Sequence, residues 1–248
     1  SIGQALKYAN SQCSFSPDGN WFAVNLTTIR EDGKKLPSRI VIYRFDRCTG
    51  RLYDPLQFDY EGYRPWMAGL CFSPDSRYLY VSTNVEIFQF DLWAADIEES
   101  KMQIAYYFNQ KCVPLNDNSS ILDSHFGQSW NGPDGRIYMT TSGATVCVHA
   151  IHYPNERGAM SQFEYNSLHL ESPHGRSVPH HPNYRLGPID ASPCDTLGID
   201  NHPLAGWRWE ELDGWQIRFT DNSWYEPTDW YWTFGDGQSD TTKSPYHI

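Results

Sequence analysis

Short segments that alternate between apolar and polar residues follow one another along most of the chain, and the same turn opens three of them. Residues 13–24, 70–81 and 130–140 each hold a short apolar stretch, then Ser-Pro-Asp or Gly-Pro-Asp, then an alternating stretch. Proline presets φ in such a turn and aspartate accepts hydrogen bonds from its backbone, so each copy predicts a β-hairpin. The turn prolines are 57 and 59 residues apart, which indicates stacked β units such as propeller blades.

The same turns supply residues that we interpret as scaffold. A residue type that recurs at a recurring turn is far more typical of structure than of catalysis. We therefore predict a structural role at the start of each blade for six residues: Pro17, Asp18, Pro74, Asp75, Pro133 and Asp134.

The patterns divide the chain into three parts. Residues 1–172 carry the repeats and predict about three four-stranded blades of a β-propeller. Residues 173–203 are rich in proline and histidine and predict a linker. Residues 204–248 return to alternating, tryptophan-rich segments and predict a second β domain. The expected fold class is all-β throughout.

Composition narrows the classes of function. The net charge of −11 disfavours binding to the phosphates of a nucleic acid, and no apolar run of membrane-spanning length occurs. The six cysteines form no Cys-x-x-Cys pair, which disfavours a zinc ribbon. Their even number fits an exported, disulfide-bonded protein, and buried free thiols fit almost as well.

The end of the chain carries a family motif. Residues 232–237 read Trp-Thr-Phe-Gly-Asp-Gly, with Phe-Thr-Asp-Asn-Ser before them at 219–223 and Ser-Pro-Tyr-His after them at 244–247. This arrangement resembles a PKD domain, an immunoglobulin-like β-sandwich. The resemblance covers residues 204–248 only and implies a domain that is incomplete at its C-terminus. It gives Phe234, Gly235, Asp236 and Gly237 a structural role in a tight turn.

The repeats and the linker resemble a second family. The Ser-Pro-Asp hairpins, residues 45–50, residues 132–138 and residues 183–188 are similar to extracellular proteins of gliding bacteria that join a β-propeller to PKD domains and are exported by type IX secretion. The resemblance implies an extracellular or outer-membrane surface location and further blades in a longer chain or assembly. It implies other surface or secretion-system proteins, or a polysaccharide, as partners, with no nucleic acid and no membrane span.

Two groups of residues could hold a metal ion, and neither is predicted as a metal site. Histidines and carboxylates at the linker could form a mixed ligand set, but no fixed spacing supports it and a polar loop is favoured; these residues are His174, His180, His181, Asp190 and Asp195. Asp221, Asp236 and Asp240 could offer oxygens to calcium, without the spacing of a calcium loop. We therefore expect no cofactor and leave calcium open as an alternative.

Two further groups of residues were considered as sites. Cys147 lies near His149 and His152, but a cysteine in a strand is more typical of a small buried hydrophobic residue than of a nucleophile. The tryptophans of the last domain are candidates for contact with a glycan or a protein, because some of them must lie on the outer face of their strands. The candidates are Trp209, Trp224 and Trp230.

These observations favour a non-catalytic protein. The propeller would dock a protein or glycan, and the PKD-like segment would act as a spacer. One alternative is a propeller-fold glycan hydrolase or lyase that uses His125, His180, His181 and Asp190. A second alternative is a structural subunit of a surface filament or secretion assembly. An exposed apolar edge would support that alternative.

Overall fold

The computed structural model describes residues 12–26, 38–60, 69–113, 121–143, 145–175, 183 and 186–248. It divides into two compact units, residues 1–182 and residues 183–248. The expected all-β class is confirmed, because a single 3₁₀ turn at Gly158–Ser161 is the one helical element in the described residues. The division between the units lies inside the stretch predicted as a linker, 173–203.

In the described residues of the N-terminal unit there are three four-stranded antiparallel sheets, each with its strands in chain order. Sheet A consists of β1 (Gln12–Phe15), β2 (Trp21–Leu26), β3 (Ser38–Asp46) and β4 (Arg51–Tyr60). Sheet B consists of β5 (Gly69–Phe72), β6 (Tyr78–Ser82), β7 (Glu86–Asp91) and β8 (Met102–Tyr106). A short hairpin of β9 (Lys111–Cys112) and β10 (Leu122–Asp123) precedes sheet C. Sheet C consists of β11 (Phe126–Asn131), β12 (Ile137–Thr141), β13 (Cys147–Ile151) and β14 (Phe163–His169).

The repeated aspartates lie in the turns between the first two strands of each sheet. The carboxylate of Asp18 accepts a hydrogen bond from the backbone N–H of Asn20, and that of Asp75 accepts one from the backbone N–H of Arg77. Asp134 accepts from the Arg136 backbone in the same way and also from the Tyr138 hydroxyl. In each sheet the carboxylate thus holds the turn backbone, as expected for an aspartate in this position.

Each turn also needs a left-handed residue directly after its aspartate. Gly19, Ser76 and Gly135 have φ values of 71°, 63° and 78°. Glycine adopts this conformation without strain, whereas Ser76 must tolerate it. The Ser76 hydroxyl has a further role, because it accepts a hydrogen bond from the backbone N–H of Asp18 and so joins the turns of sheets A and B.

The third turn is one residue shorter than the other two. In sheet B the backbone N–H of Ser73 donates to the carbonyl oxygen of Tyr78, five residues later. In sheet C the backbone N–H of Gly132 donates to the carbonyl oxygen of Arg136, four residues later. One residue fewer reverses which side chains face a given side of a strand. Ile137 and Met139 consequently point toward sheet B and join its core, although aligning the three motifs would have placed these positions on the opposite face.

Two apolar cores hold the three sheets together. Sheets A and B enclose a cluster that includes Ile40, Ile42, Phe72 and Leu79, all fully buried. Sheets B and C enclose a second cluster built on Tyr80, Ile87, Phe126, Ile137 and Ile151. Sheet B therefore buries both of its faces, which is why β5 and β6 read as continuous buried runs rather than alternating ones.

The first strands of the three sheets meet along a seam. The side-chain oxygen of Gln12 accepts hydrogen bonds from the backbone N–H groups of Leu70 (2.9 Å) and Ser129 (3.1 Å), and its nitrogen donates to the Ser129 carbonyl (2.7 Å). A Cβ atom on Gly69 would lie 2.3 Å from the carbonyl oxygen of Gly127, so the two backbones can approach only because this residue is glycine.

The C-terminal unit contains a three-stranded sheet and a hairpin. The sheet has the order β15 (Trp207–Glu211), β16 (Ile217–Asp221) and β19 (Tyr246–His247). The hairpin pairs β17 (Trp232–Thr233) with β18 (Ser239–Asp240). The Gly-Asp-Gly turn lies between its strands, with φ of 88° at Gly235 and 93° at Gly237, which explains the glycine at both positions.

The seam gives a test of how the sheets are joined. Replacing Gln12 by Ala removes three hydrogen bonds and leaves two backbone N–H groups without their acceptor, so we expect a loss of about 2 kcal/mol in the free energy of unfolding. Urea denaturation measures it. Gln57→Ala, at an exposed position of β4, is the matched control and should change stability by less than about 0.5 kcal/mol. Equal effects of the two substitutions would contradict the role of the seam.

Candidate functional site

The cysteine considered as a nucleophile is part of a disulfide. Cys147 on β13 is bonded to Cys112 on β9, so its sulfur is not available as a thiolate. Among the described cysteines, Cys13 and Cys71 are free, the first exposed and the second buried. The disulfide ties the short hairpin to sheet C.

The neighbouring His149 is a buried structural residue. Its Nε2 lies 2.9 Å from the carbonyl oxygen of Ser124, and its Nδ1 accepts a hydrogen bond from the Asn166 backbone at 3.0 Å. Both ring nitrogens are therefore used when the ring is neutral, with the proton on Nε2. Burial lowers the pKa of His149 to about 4, because the charged form would have to give up its hydration.

This histidine makes stability depend on pH. The imidazole titrates near 4 in the folded protein and near 6.5 when unfolded, so the unfolded chain binds the proton more tightly. Its contribution is complete above about pH 6.5 and is lost as the pH falls toward 4, by about 3 kcal/mol. Urea denaturation at several pH values should show this slope. In His149→Leu the slope over the same window should be smaller, and an unchanged slope would contradict the assignment.

Within the described residues, the one group of three or more possible metal-ligating side chains contains none of the histidines considered for a metal or for the alternative enzyme. The ring of His125 packs against that of Tyr107 in a tilted arrangement, with 4.1 Å between the centroids. His174 places one ring nitrogen 2.8 Å from the carbonyl oxygen of Cys147 and the other 2.6 Å from that of Gly175. His180 and His181 lie outside the described residues.

The carboxylates considered together with these histidines lie close to a third aspartate. Carboxylate oxygens of Asp190, Asp195 and Asp200 lie within 4.8 Å of one another. Asp190 already accepts two hydrogen bonds from Asn201, and Asp195 accepts one from the backbone of Gly198. These bonds are those of ordinary polar turns.

The residues considered for calcium each hold a local turn. Asp236 accepts a hydrogen bond from the backbone N–H of Gln238, Asp240 from that of Thr242, and Asp221 from that of Ser223. In the described part of the chain, the acidic side chains close enough together to share a cation are Asp190, Asp195 and Asp200, so the residues considered for calcium do not form such a group.

The C-terminal unit contains an open cleft of about 520 Å³ that we call the aromatic cleft. Strand β15 forms part of its wall. Successive side chains of a strand point to opposite faces, so Trp207 and Trp209 lie on the same face. Across the sheet these residues pair with Asp221 and Phe219 on β16. The face of the sheet therefore carries two tryptophans, a phenylalanine and a carboxylate side by side.

Rings from the hairpin complete the aromatic cleft. Trp232 lies with its ring centroid 6.2 Å from that of Trp207 and 5.6 Å from that of Phe219. Phe234 is 5.5 Å from Phe219, so the hairpin packs against the sheet at one end. Trp230 and Tyr231 line the cleft farther along, and Tyr231 is largely exposed.

Ionisable groups stand at the wall of the aromatic cleft. Asp221, Asp229 and His247 all line it. His247 stacks on Phe234 at 4.0 Å and places its Nε2 3.2 Å from a carboxylate oxygen of Asp236. The pKa of Asp236 is lowered, first by the hydrogen bond from the Gln238 backbone and then by the nearby His247. An imidazole held by a carboxylate in this way can accept a proton at its second nitrogen.

The three tryptophans singled out in the sequence lie in different surroundings. Trp209 is 58% exposed on the sheet face that carries Trp207. Trp230 lines the aromatic cleft, with the Lys243 ammonium 5.5 Å from its ring. Trp224 is half-buried and pairs through its backbone with Leu204. Their role as ligand contacts stays a prediction.

Sequence reasoning missed part of the aromatic cleft. Trp207, Tyr231, Asp229 and His247 were not singled out as a site, although they line it. The period-two pattern of β15 was a usable signal for Trp207, because it shares a face with Trp209. Nothing in the local sequence indicated that His247 would lie beside Asp236 of the Gly-Asp-Gly turn.

No family model and no curated protein matches the chain. A solved structure that does match is the Pseudomonas aeruginosa periplasmic gluconolactonase PpgL, at 17% sequence identity and a TM-score of 0.42. The match covers 99% of this chain and 74% of that one. In the described residues no helix is long and apolar enough to cross a membrane.

The expectation of a non-catalytic protein is corrected by this match, since the solved chain is an enzyme. The error has a physical reason. Sheets of this kind provide a scaffold, and the same scaffold carries binding sites in some proteins and catalytic sites in others, so the fold alone never supported the absence of catalysis. A likeness this distant says nothing about the substrate or the reaction of the present chain.

Proposed function

We propose that the chain is a glycan-active hydrolase or lyase, and that the aromatic cleft of its C-terminal unit binds the sugar. The observation that carries the proposal is the combination of flat aromatic rings with carboxylates and a histidine in one open cleft. Ligand sites commonly join apolar walls to a few polar groups that orient the ligand. Trp207, 58% exposed, offers a broad apolar face on which a sugar ring can lie.

Proton transfer would fall to the ionisable groups of the same cleft. Asp221 and Asp229 supply the two carboxylates that glycoside hydrolysis generally uses. His247, held by Asp236, can take a proton from an attacking water or from the sugar and return it to the leaving oxygen. Asp221 accepts hydrogen bonds from the backbone and the hydroxyl of Ser223, which hold its carboxylate in place at the wall of the cleft.

The same proposal includes the finer architecture. The three stacked four-stranded sheets support a β-propeller arrangement, with sheets A, B and C as consecutive blades. The sheet and hairpin of residues 207–247 support a PKD-like sandwich. A surface protein of the type IX secretion kind, located outside the cell or on the outer membrane with polysaccharide as its partner, remains part of the proposal on the strength of the sequence motifs.

Binding can be tested at the tryptophan. Titrating the protein with neutral and acidic oligosaccharides, by calorimetry, should give a ligand whose affinity falls about tenfold in Trp207→Ala, because a stacking face is lost. Trp215→Ala is the matched control, since Trp215 is 89% exposed and lies outside the cleft. Equal affinity in the two variants would place the sugar elsewhere.

Catalysis is tested separately. Release of reducing ends or of unsaturated products from the bound oligosaccharide should fall by a factor of at least about 100 in His247→Gln or Asp221→Asn, as for the loss of an acid or base. The affinity should change little. Binding without any turnover by the unaltered protein would reject the enzyme and keep only the sugar site.

A further inference from the structure

The two aspartates that line the aromatic cleft each keep one carboxylate oxygen available to a ligand. Asp221 accepts hydrogen bonds from the backbone N–H and the hydroxyl of Ser223, and both bonds end at its Oδ1 atom. Asp229 accepts one from the Thr228 hydroxyl at its Oδ2 atom. Within the described residues, Oδ2 of Asp221 and Oδ1 of Asp229 therefore accept no hydrogen bond, and neither carboxylate forms an ion pair.

Aspartates elsewhere in the chain have a basic partner. Asp59 pairs with Arg39 at 2.6 Å, and Asp91 pairs with Arg77 at 2.8 Å. A carboxylate with such a partner offers little net charge to a ligand. The two aspartates of the aromatic cleft instead bring uncompensated negative charge to its wall, which attracts a cationic ligand and repels an acidic one.

The strands of the C-terminal unit turn their arginines away from the aromatic cleft. Trp207 and Ile217 line the cleft, and each is followed by an arginine, Arg208 or Arg218. Successive side chains of a strand point to opposite faces, so both arginines lie on the other side of the sheet. Among the described residues that line the cleft, His247 is the one basic residue, and it already pairs with a carboxylate.

An aromatic face and a carboxylate stand side by side on the cleft wall. Trp207 and Asp221 lie directly opposite each other on β15 and β16. Residues in such positions have Cβ atoms about 4.5–5.5 Å apart. A cation over an indole face is attracted by the ring, and a neighbouring carboxylate adds a charged hydrogen bond. The first of these contacts already occurs in this unit, where the Lys243 ammonium lies 5.5 Å from the centroid of the Trp230 ring.

We propose that the aromatic cleft selects glycans built of amino sugars whose amino groups are free and protonated. This inference rests on the proposed function and names its substrate class. The sugar ring lies on an exposed aromatic face such as that of Trp207, while ammonium groups of the chain donate to Oδ2 of Asp221 and Oδ1 of Asp229. A neutral glycan gains only the stacking.

The aromatic rings favour a sugar over a cationic peptide. A lysine side chain ends in a compact point charge on a flexible stem, so it matches the carboxylates but has no flat ring. Trp207 and Tyr231 are 58% and 74% exposed, and an amino sugar can use both the broad apolar faces and the charge.

Oligomers of glucosamine and their N-acetylated counterparts test this selectivity, because they share one backbone and differ in the charge of each amine. In calorimetry at mildly acidic pH, the glucosamine oligomer should bind at least about tenfold more tightly than the N-acetylated one. The preference should shrink in about 0.5 M salt, since added ions screen exposed charges.

Substitution of either carboxylate should reduce the preference. In Asp221→Asn or Asp229→Asn, the affinity for the glucosamine oligomer should fall about fivefold, as for the loss of one exposed charge pair. The affinity for the N-acetylated oligomer should change little, because stacking is kept. Asp213→Asn is the matched control, since it removes the same charge from an exposed position of this unit outside the cleft.

The outcomes separate the substrate class from the proposed function. Equal affinity for both oligomers, lost in Trp207→Ala, would keep the sugar site and overturn the selectivity for amino sugars. An oligolysine peptide of equal charge that binds more tightly than the glucosamine oligomer would assign the cleft to cationic protein segments and overturn the inference. Absence of binding by either oligomer would reject the sugar site itself.

Discussion

The packing of one four-stranded sheet on the next is the interaction on which the N-terminal unit depends. A sheet with two apolar faces is stable only when both are covered, because exposed apolar area is costly in water. Sheet B meets this condition from both sides, through the clusters around Phe72 and around Tyr80. This requirement accounts for the buried runs of β5 and β6 and for the branched inner face of sheet A. It also accounts for the apolar side chains, Ile137 and Met139, that sheet C turns toward sheet B.

Polar contacts decide how the sheets are aligned. Apolar packing alone would tolerate a shift of one sheet along another, whereas Gln12 accepts from two different strands at fixed positions. The side-chain nitrogen of Asn25 donates a hydrogen bond to the carbonyl oxygen of Gly69, and its side-chain oxygen accepts one from the Tyr60 hydroxyl. Buried hydrogen bonds of this kind add modest net stability, and their larger effect is to penalise every arrangement in which they are unmade.

The C-terminal unit packs its aromatic residues without covering all of them. Its aromatic rings pack on one another at one end, through Phe219, Trp232 and Phe234, and leave an open cleft beside them. These rings therefore stand next to carboxylates and His247. The chemistry available to the cleft arises from that adjacency. In the N-terminal unit the sulfur of Cys147 is taken up by a disulfide, and both ring nitrogens of His149 take part in buried hydrogen bonds.

The sequence alone determined the all-β class, the hairpins and their turn aspartates, because proline, aspartate and period-two alternation act over a few residues. Tertiary structure decided what depends on distant pairs: the shorter third turn that redirected Ile137, the bond between Cys112 and Cys147, and the meeting of His247 with Asp236. It also decided which tryptophans line the aromatic cleft, since alternation places Trp207 and Trp209 on one face but does not say what packs above it. Local patterns fix the shape of a strand, and only packing fixes its neighbours.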